Sequence, residues 1–157
     1  MQKITPFLWF NDQAEEAMKY YTSVFKNSKP GEITYYGEAG PEPKGTVLTA
    51  SFEIEGQEFV ALNGGPAYSF TPAISFFVNC KTQAEVDYFW EKLGEGGRYD
   101  QCGWLTDKFG VSWQIVPEGL LDLLYSKDEE KANRAMKCML QMQKLDIAEI
   151  RRAYEGK

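Results

Sequence analysis

Gln114 is the residue whose type and surroundings most strongly suggest a chemical role. It is a polar side chain in the middle of an apolar strand, Val111-Ser-Trp-Gln-Ile-Val-Pro117. An amide side chain donates and accepts hydrogen bonds, and its oxygen can ligate a divalent cation. If the protein has a chemical centre, we therefore expect Gln114 to be part of it.

The absence of histidine restricts what that centre could do. None of the 157 residues is a histidine, so the commonest general base near neutral pH and the commonest metal ligand are both missing. Catalysis by Ser-His-Asp or Cys-His groups is excluded. A carboxylate metal site at Glu53, Glu55 and Glu58 is one option, but a solvated hairpin is the simpler interpretation.

The net charge and the cysteine content indicate which binding partners and which cellular compartment to expect. A net charge of −6 argues against nucleic acid, and no apolar run is long enough to cross a bilayer. No basic segment followed by an apolar one opens the chain, and the three dispersed cysteines are typical of reduced thiols. We therefore predict a cytoplasmic protein that binds neither nucleic acid nor membrane. Cys102, with no histidine to activate it, is predicted to be a buried structural thiol.

Gln114 lies in a predicted hairpin that covers residues 101–117. Trp, Val, Ile and Thr flank residues 107–110, which have the composition of a tight turn. Gly110 is free to adopt a positive φ. Asp107 is interpreted as a turn residue and not as an acid catalyst.

An earlier segment predicts the same kinds of element. Residues 4–10 predict a strand, and Asp12 with Glu15 predicts a capping box at the start of a helix. Lys29-Pro-Gly31 is predicted to be a break after that helix. The apolar face of the helix consists of Ala14, Ala17, Met18, Tyr21 and Phe25. Further strands are predicted at residues 33–36, 46–54 and 57–62.

The pattern then starts again. Residues 71–78 predict a strand, Thr82 with Glu85 a second capping box, and Gly94 the residue after the helix. The two capping boxes are 70 residues apart, whereas the strands before them match at an offset of 68. We therefore predict an α+β fold with paired βαβββ modules, about residues 1–66 and 71–117, that form one domain over residues 1–117.

Residues 118–157 predict a helical C-terminal extension. Ser126 with Glu129 and Asp146 with Glu149 predict capping boxes for two of its helices. These helices carry an apolar stripe, which must pack against another surface. The tail therefore docks either on its own domain or on a second subunit.

Several stretches of the sequence resemble a known family. They are Phe7-Leu-Trp-Phe10 with Ala14-Glu-Glu-Ala17, Leu62-Asn-Gly-Gly-Pro66, Cys102-Gly-Trp104, and Asp107-Lys-Phe-Gly110 through Pro117. They are similar to the PhnB-like branch of the vicinal oxygen chelate superfamily, which includes glyoxalase I, extradiol dioxygenases, and bleomycin and fosfomycin resistance proteins. Members of this branch often carry the label 3-demethylubiquinone-9 3-methyltransferase. The similarity runs from about residue 3 to the C-terminus, including the helical tail. It implies a cavity formed by paired modules and a homodimer, often with exchanged elements.

The resemblance also implies where a metal would be held, by the first and last strands of each module. At the offset of 68, the first-strand positions are Thr5 and Ala73, and the last-strand positions are Val60 and Gln114. Gln114 alone is a good ligand, and a stable site needs three or four. We therefore predict no metal and no cofactor.

The methyltransferase label implies S-adenosylmethionine, which needs a Gly-rich turn between a strand and a helix. Asn63-Gly-Gly-Pro66 precedes a loop, and Gly94-Glu-Gly-Gly97 follows a helix. Neither segment fits, so the residues do not support the label.

The same match orients the cavity, because alternate side chains of a strand point to one face. The predicted lining consists of Thr5, Phe7, Trp9, Val60, Ser75, Phe77 and Gln114. Such a lining suits a flat or hydrophobic organic ligand; the alternative is that these aromatic side chains are simply core. We predict a metal-independent small-molecule-binding protein. The alternative functions are a metal-dependent lyase- or dioxygenase-like enzyme, with catalytic residues unidentified, and the labelled methyltransferase.

Overall fold

Each half of the chain forms a compact unit with its own sheet. The computed structural model describes residues 2–157, which divide into residues 2–70 and 71–157. Each unit contains a four-stranded sheet with a helix packed on one face. The predicted α+β fold with two βαβββ modules is therefore confirmed. That the two modules form one domain stays a prediction.

The first unit follows the predicted order of elements. It consists of β1 (Phe7–Phe10), α1 (Ala14–Val24), β2 (Ser28–Tyr35), β3 (Val47–Ile54) and β4 (Gln57–Asn63). The strand order is β1-β4-β3-β2; β1 runs parallel to β4, and the other pairs are antiparallel. The strand β1 begins later than predicted, so Thr5 precedes it.

The helix α1 covers one face of this sheet. All five residues of its predicted apolar face are buried. Along β1, Leu8 and Phe10 are buried whereas Phe7 is exposed, because alternate side chains point to opposite faces. Tyr21 of α1 stacks on Phe52, with ring centroids 5.7 Å apart. The helix side of the sheet is therefore the core of the unit, and α1 does not cover the other side.

The start of α1 is capped by a residue from the end of β4. The predicted capping box is wrong, since Gln13 precedes the helix and its side chain makes no capping hydrogen bond. Instead, Asn63 Oδ1 accepts a hydrogen bond from the Ala14 backbone N–H at 2.8 Å. Asn63 Nδ2 donates to the Val47 carbonyl at 3.1 Å. One buried amide thus ties the start of the helix to two strands.

Asn63→Ala is expected to destabilise the protein by about 2 kcal/mol, because the Ala14 N–H and the Val47 carbonyl lose their partner. Asp12→Ala is the matched control: Asp12 is exposed and does not cap the helix, so we expect a change below about 0.5 kcal/mol. Urea unfolding followed by circular dichroism measures both. Equal losses in the two variants would contradict this account of the cap.

The strand β2 contains a segment that we predicted to be a break. Lys29, Pro30 and Gly31 lie within the strand. Because β2 is the edge of the sheet, a proline can be accommodated without removing a ladder hydrogen bond between two inner strands. The register shifts between Pro30 and Ile33, and such a bulge absorbs the irregular segment.

The second unit repeats the module and adds the tail. It consists of β5 (Ser75–Cys80), α2 (Gln83–Gly94), β6 (Arg98–Tyr99), β7 (Trp104–Thr106), β8 (Ser112–Pro117), α3 (Leu120–Leu124), α4 (Glu129–Met139) and α5 (Ile147–Glu155). The strand order is β5-β8-β7-β6, with β5 parallel to β8. The two-residue β6 is too short to show a pattern in the sequence.

The helix α2 begins as predicted and ends differently. The Glu85 N–H donates to Thr82 Oγ1 at 3.1 Å, which confirms the Thr82 cap, and the Glu85 carboxylate accepts from the Lys81 N–H at 2.8 Å. Gly94 is the last helical residue and not the one after it. A Cβ at Gly94 would lie 2.1 Å from Cε1 of Tyr99, so this glycine makes room for the ring. Gly96, with φ +78°, takes the left-handed conformation instead.

The helical tail packs on its own unit in this chain. A buried cluster joins β8 to the tail and consists of Val116, Leu120, Ala135, Leu145 and Ile150. Gln83 of α2 holds the tail through both ends of its amide. It donates to the Leu145 carbonyl at 2.9 Å and accepts from the Ile147 N–H at 3.1 Å. Exchange of elements between subunits stays a prediction.

One of the two capping boxes predicted for the tail is correct. Asp146 accepts from the Glu149 N–H at 3.1 Å at the start of α5. At α4 the cap is Asp128 and not Ser126. The Ser126 hydroxyl shares a hydrogen bond with the Tyr154 hydroxyl instead, at 2.7 Å. No helix within residues 2–157 is long and apolar enough to span a membrane.

Candidate ligand-binding site

The turn at residues 107–110 supports β8 through Asp107, whose side chain is buried. Asp107 Oδ1 accepts hydrogen bonds from the N–H groups of Phe109 at 2.9 Å and Val111 at 3.0 Å. Its Oδ2 accepts from Trp113 Nε1 at 2.9 Å. Gly110 has φ +95°, as the turn requires. Asp107 is therefore a turn residue, as predicted, and both carboxylate oxygens hold the hairpin.

Gln114 is half-buried in β8 and contacts the first strand of its module. Its Nε2 donates a hydrogen bond to the Ser75 hydroxyl at 2.9 Å. Across residues 2–157 the Gln114 side chain makes no other hydrogen bond. The amide oxygen and one amide hydrogen therefore stay available to a ligand, as does the hydroxyl hydrogen of Ser75.

Aromatic residues lie on both sides of Gln114. Phe77 of β5 and Trp104 of β7 are its partners in register on the two neighbouring strands. Residues in register on adjacent strands share a face and lie about 5 Å apart. The helix α2 packs on the opposite face, where Trp113 and Ile115 are buried. Gln114 thus stands in a row between two aromatic side chains, on the face that α2 does not cover.

A row of hydroxyl residues lies beside this aromatic row. Ser75, Ser112 and Thr106 are in register on β5, β8 and β7. Ser112 is 2% exposed, and within residues 2–157 its Oγ has no hydrogen-bond partner. A buried hydroxyl without a partner is uncommon, because nothing compensates for its desolvation. The protein itself therefore leaves polar groups on this face unsatisfied.

Ser112→Ala is expected to leave the stability unchanged or to raise it by up to about 1 kcal/mol, because an unpartnered buried hydroxyl is removed. Ser75→Ala is the control. It removes the acceptor of the Gln114 hydrogen bond and should cost about 0.5–1.5 kcal/mol. Thermal unfolding of the two variants compares them. A loss in Ser112→Ala as large as that in Ser75→Ala would show that Ser112 is satisfied in solution.

A depression of about 290 Å³ adjoins Phe77 in the same unit. Its apolar wall is formed by Phe77, Val116, Pro117 and Leu121. Phe77 is 48% exposed, so its ring is open to a ligand. The volume is close to the lower limit for small-ligand sites, roughly 300 Å³.

In the first unit, the predicted cavity residues of β1 and β4 lie on the face opposite α1. Phe7 is 60% exposed, Trp9 is half-buried and Val60 is buried. The Trp9 indole N–H donates to the Gly65 carbonyl at 2.9 Å, and its ring meets Tyr68 edge-on. The indole N–H is thus satisfied within the unit, and Trp9 offers mainly apolar surface. That the two units line one cavity stays a prediction.

The strand register corrects the offset between the modules. Gln114 pairs with Phe77, and the matching pair in the first unit is Val60 with Phe7. The first-strand members of these pairs are 70 residues apart, not 68. The observed strand starts, Phe7 and Ser75, are 68 residues apart, but β5 has two more residues than β1 at its beginning.

The corrected positions do not fit a divalent metal. At an offset of 70, Thr5 corresponds to Ser75 and not to Ala73. The four positions then offer two hydroxyls, the amide of Gln114 and the hydrocarbon side chain of Val60. These are too few and too weak as ligands for a stable site. Within residues 2–157, no three His, Cys, Asp or Glu side chains are grouped so as to hold a metal ion.

The hairpin carboxylates do not replace the missing ligands. Glu53 pairs with Lys29 at 3.2 Å, and Glu55 accepts a hydrogen bond from Asn27 at 2.9 Å. These contacts are at the protein surface, as expected for a solvated hairpin.

The turns between strands and helices do not fit S-adenosylmethionine. Residues 11–13 join β1 to α1, residues 81–82 join β5 to α2, and neither turn contains a glycine. Gly119 lies between β8 and α3, but α3 has only five residues. A nucleotide-type cofactor held at a helix N-terminus needs a Gly-rich turn followed by a longer helix.

Two cysteines have raised pKa values. Burial, with a smaller contribution from the charge of Glu85, raises the pKa of Cys80 to about 12. Burial also raises the pKa of Cys138. Because the thiolate is the reactive form, both are poor nucleophiles at neutral pH. Cys102 is half-buried, not buried as predicted, and its Sγ lies 3.8 Å from the Met139 carbonyl.

Known proteins match the two modules. The family model described as 3-demethylubiquinone-9 3-methyltransferase matches residues 2–116. A PhnB protein of Bacillus cereus with the same methyltransferase description is 42% identical, and the match covers 74% of this chain and 99% of that chain with a TM-score of 0.68. A protein of Pseudomonas aeruginosa is 25% identical over 75% of this chain and 98% of that chain, with a TM-score of 0.63. Comparison with curated proteins gives no match.

The family match ends before the helical tail. We expected the resemblance to continue beyond residue 117, but the matched region stops at residue 116. The family evidence therefore concerns the two βαβββ modules.

Proposed function

Because the chain belongs to the 3-demethylubiquinone-9 3-methyltransferase family, within the vicinal oxygen chelate superfamily, and Gln114 is the one good ligand at its four mapped metal positions, we propose that it is a metal-independent protein that binds a small, uncharged aromatic molecule. The observation that carries the proposal is the Gln114–Ser75 pair beside Phe77. The pair offers donors and an acceptor next to an exposed ring. A few directed polar groups on an apolar surface are typical of small-molecule sites.

The side chains of this face favour a ligand without charge. None of the residues in the aromatic row or the hydroxyl row is charged. Arg98, next to Thr106 in the sheet, is already paired with Asp100 at 3.0 Å. The charged residues that line the depression, Glu118 and Asp122, are acidic. An anionic ligand would therefore lose hydration here without gaining a free partner of opposite sign. A flat neutral molecule can instead lie against Phe77 and hydrogen-bond to Gln114.

The metal-independent character has a direct test. Elemental analysis of protein purified without added metal is expected to find no stoichiometric transition metal. Divalent metals should not raise the melting temperature. A metal that did bind, at a concentration 100 times its Kd, would add about 2.7 kcal/mol of stability. Gln114→Ala is the matched variant. A metal-induced shift of several degrees that is lost in Gln114→Ala would contradict the proposal.

The family description raises methyl transfer as the alternative. The strand-to-helix turns of this chain argue against it, because those before α1 and α2 lack glycine and the one with Gly119 leads into the five-residue α3. Isothermal calorimetry with S-adenosylmethionine at millimolar concentration should give no binding heat. Saturable binding would support the methyltransferase and contradict our proposal. Assembly as a homodimer stays a prediction, which the molar mass from light scattering measures directly.

A further inference from the structure

We propose that Gln114 and Ser75 recognise a planar group that presents a hydrogen-bond donor and an acceptor side by side, as a primary carboxamide or a lactam does. The inference rests on the proposed function and specifies the ligand class for that site. It is carried by the hydrogen-bonding capacity that this pair leaves unused.

The contact between the two side chains fixes which atoms remain. Gln114 Nε2 donates to Ser75 Oγ at 2.9 Å. The amide oxygen of Gln114 is then an acceptor without a partner, and the Ser75 hydroxyl hydrogen is a free donor. A ligand carboxamide can donate its N–H to the first and accept through its carbonyl oxygen from the second. An ester satisfies the donor alone, and a hydrocarbon satisfies neither group.

The surroundings of the pair suit a planar group attached to a ring. Phe77 and Trp104 are the lateral neighbours of Gln114 in the sheet. The depression beside Phe77 offers apolar surface to the rest of the ligand. An amide conjugated to an aromatic ring is flat, so both parts can lie against the same sheet face.

The hydroxyl of Ser112 is independent evidence that polar groups on this face lack hydrogen-bond partners within the protein. It is the neighbour of Ser75 in register, and its buried hydroxyl has no hydrogen bond within residues 2–157. Buried polar groups in native proteins are nearly always bonded to protein, water or ligand. The hydroxyls of Ser75 and Ser112 and the amide of Gln114 therefore have unused hydrogen-bonding capacity at one place in the sheet.

Three probes of similar shape separate the hydrogen bond to the Gln114 oxygen from the one donated by the Ser75 hydroxyl. They are benzamide, methyl benzoate and ethylbenzene. Each is titrated into the full-length ¹⁵N-labelled protein in the presence of a chelator. The side-chain NH₂ signals of Gln114 and the indole signal of Trp104 report the site. We expect benzamide to bind at least about fivefold more tightly than methyl benzoate, the effect of one additional satisfied hydrogen bond.

Variants assign that preference to the pair. Gln114→Leu keeps a similar volume without the amide and should abolish the preference for benzamide over methyl benzoate, while the affinity for ethylbenzene stays the same. Gln141→Leu is the matched control, because Gln141 is an exposed amide in the tail. If Gln114→Leu does not fold, Ser75→Ala is the second variant: it removes the donor that both carbonyl probes use, so benzamide and methyl benzoate should both weaken relative to ethylbenzene. Unchanged affinities of both carbonyl probes in Ser75→Ala would overturn the inference.

The outcomes distinguish this inference from the proposed function. Equal affinities for the three probes in the wild type would overturn the inference and leave a site for aromatic molecules. A preference that survives in Gln114→Leu would also overturn it. Failure of all three probes to bind would overturn it as well, whereas the proposed function is decided separately by metal analysis and a broader ligand screen.

Discussion

Asp107→Ala is expected to destabilise the protein by roughly 3 kcal/mol or more, because three N–H groups lose a buried charged acceptor. Two of these groups belong to the backbone of the turn, at Phe109 and Val111. The third is the indole N–H of Trp113, whose ring is part of the buried face of β8. Asp107 is 2% exposed, so these hydrogen bonds are shielded from bulk water. Chemical denaturation with tryptophan fluorescence measures the loss.

Two variants make this test specific. Asp107→Asn keeps an oxygen for the turn but places an NH₂ group near the Trp113 N–H, so an intermediate loss is expected. Asp122→Ala removes an exposed aspartate and should change the stability by less than about 0.5 kcal/mol. If Asp107→Ala were as stable as Asp122→Ala, the hydrogen bonds of the turn would contribute nothing.

Leu145→Ala is expected to cost about 3 kcal/mol, because it leaves a cavity where the tail meets its unit. Leu145 is fully buried, and its side chain lies against Gly103, just before β7. Leu140→Ala is the control: Leu140 is 53% exposed and its loss should cost less than about 0.5 kcal/mol. Thermal and urea unfolding of both variants give the difference.

Concentration dependence adds a second readout for the tail. If the tail packs on its own unit, the loss in Leu145→Ala does not depend on protein concentration. A tail docked on a second subunit would make this loss change with protein concentration, because docking of the tail then belongs to the association step. A small loss, or one that depends on concentration, would contradict docking within the chain.

The sequence predicts the elements whose determinants are local. The hairpin at residues 101–117 and the caps at Thr82 and Asp146 depend on residues within a few positions of each other, and all three are confirmed. The cap of α1 escaped prediction because its acceptor, Asn63, lies 49 residues away. A local motif at Asp12 therefore suggested a cap that a distant side chain provides.

The candidate site was predictable as a set of residues but not as a set of contacts. Gln114 was identified as a polar residue in an apolar strand, and Ser75 followed from strand alternation. Their hydrogen bond depends on the parallel pairing of β5 with β8, across 39 residues. The unpartnered hydroxyl of Ser112 depends on burial, which packing decides. No pattern in the sequence distinguishes it from an ordinary strand serine.

The central claim is that a small neutral aromatic molecule binds at Gln114 without a metal. The most direct measurement is a screen of neutral aromatic fragments against the full-length ¹⁵N-labelled protein by two-dimensional NMR, with a chelator present throughout. We predict at least one fragment that binds saturably and shifts the Gln114 side-chain and Trp104 indole signals. Binding that appears only after a divalent metal is added, or fragment shifts confined to other surfaces, would contradict the claim.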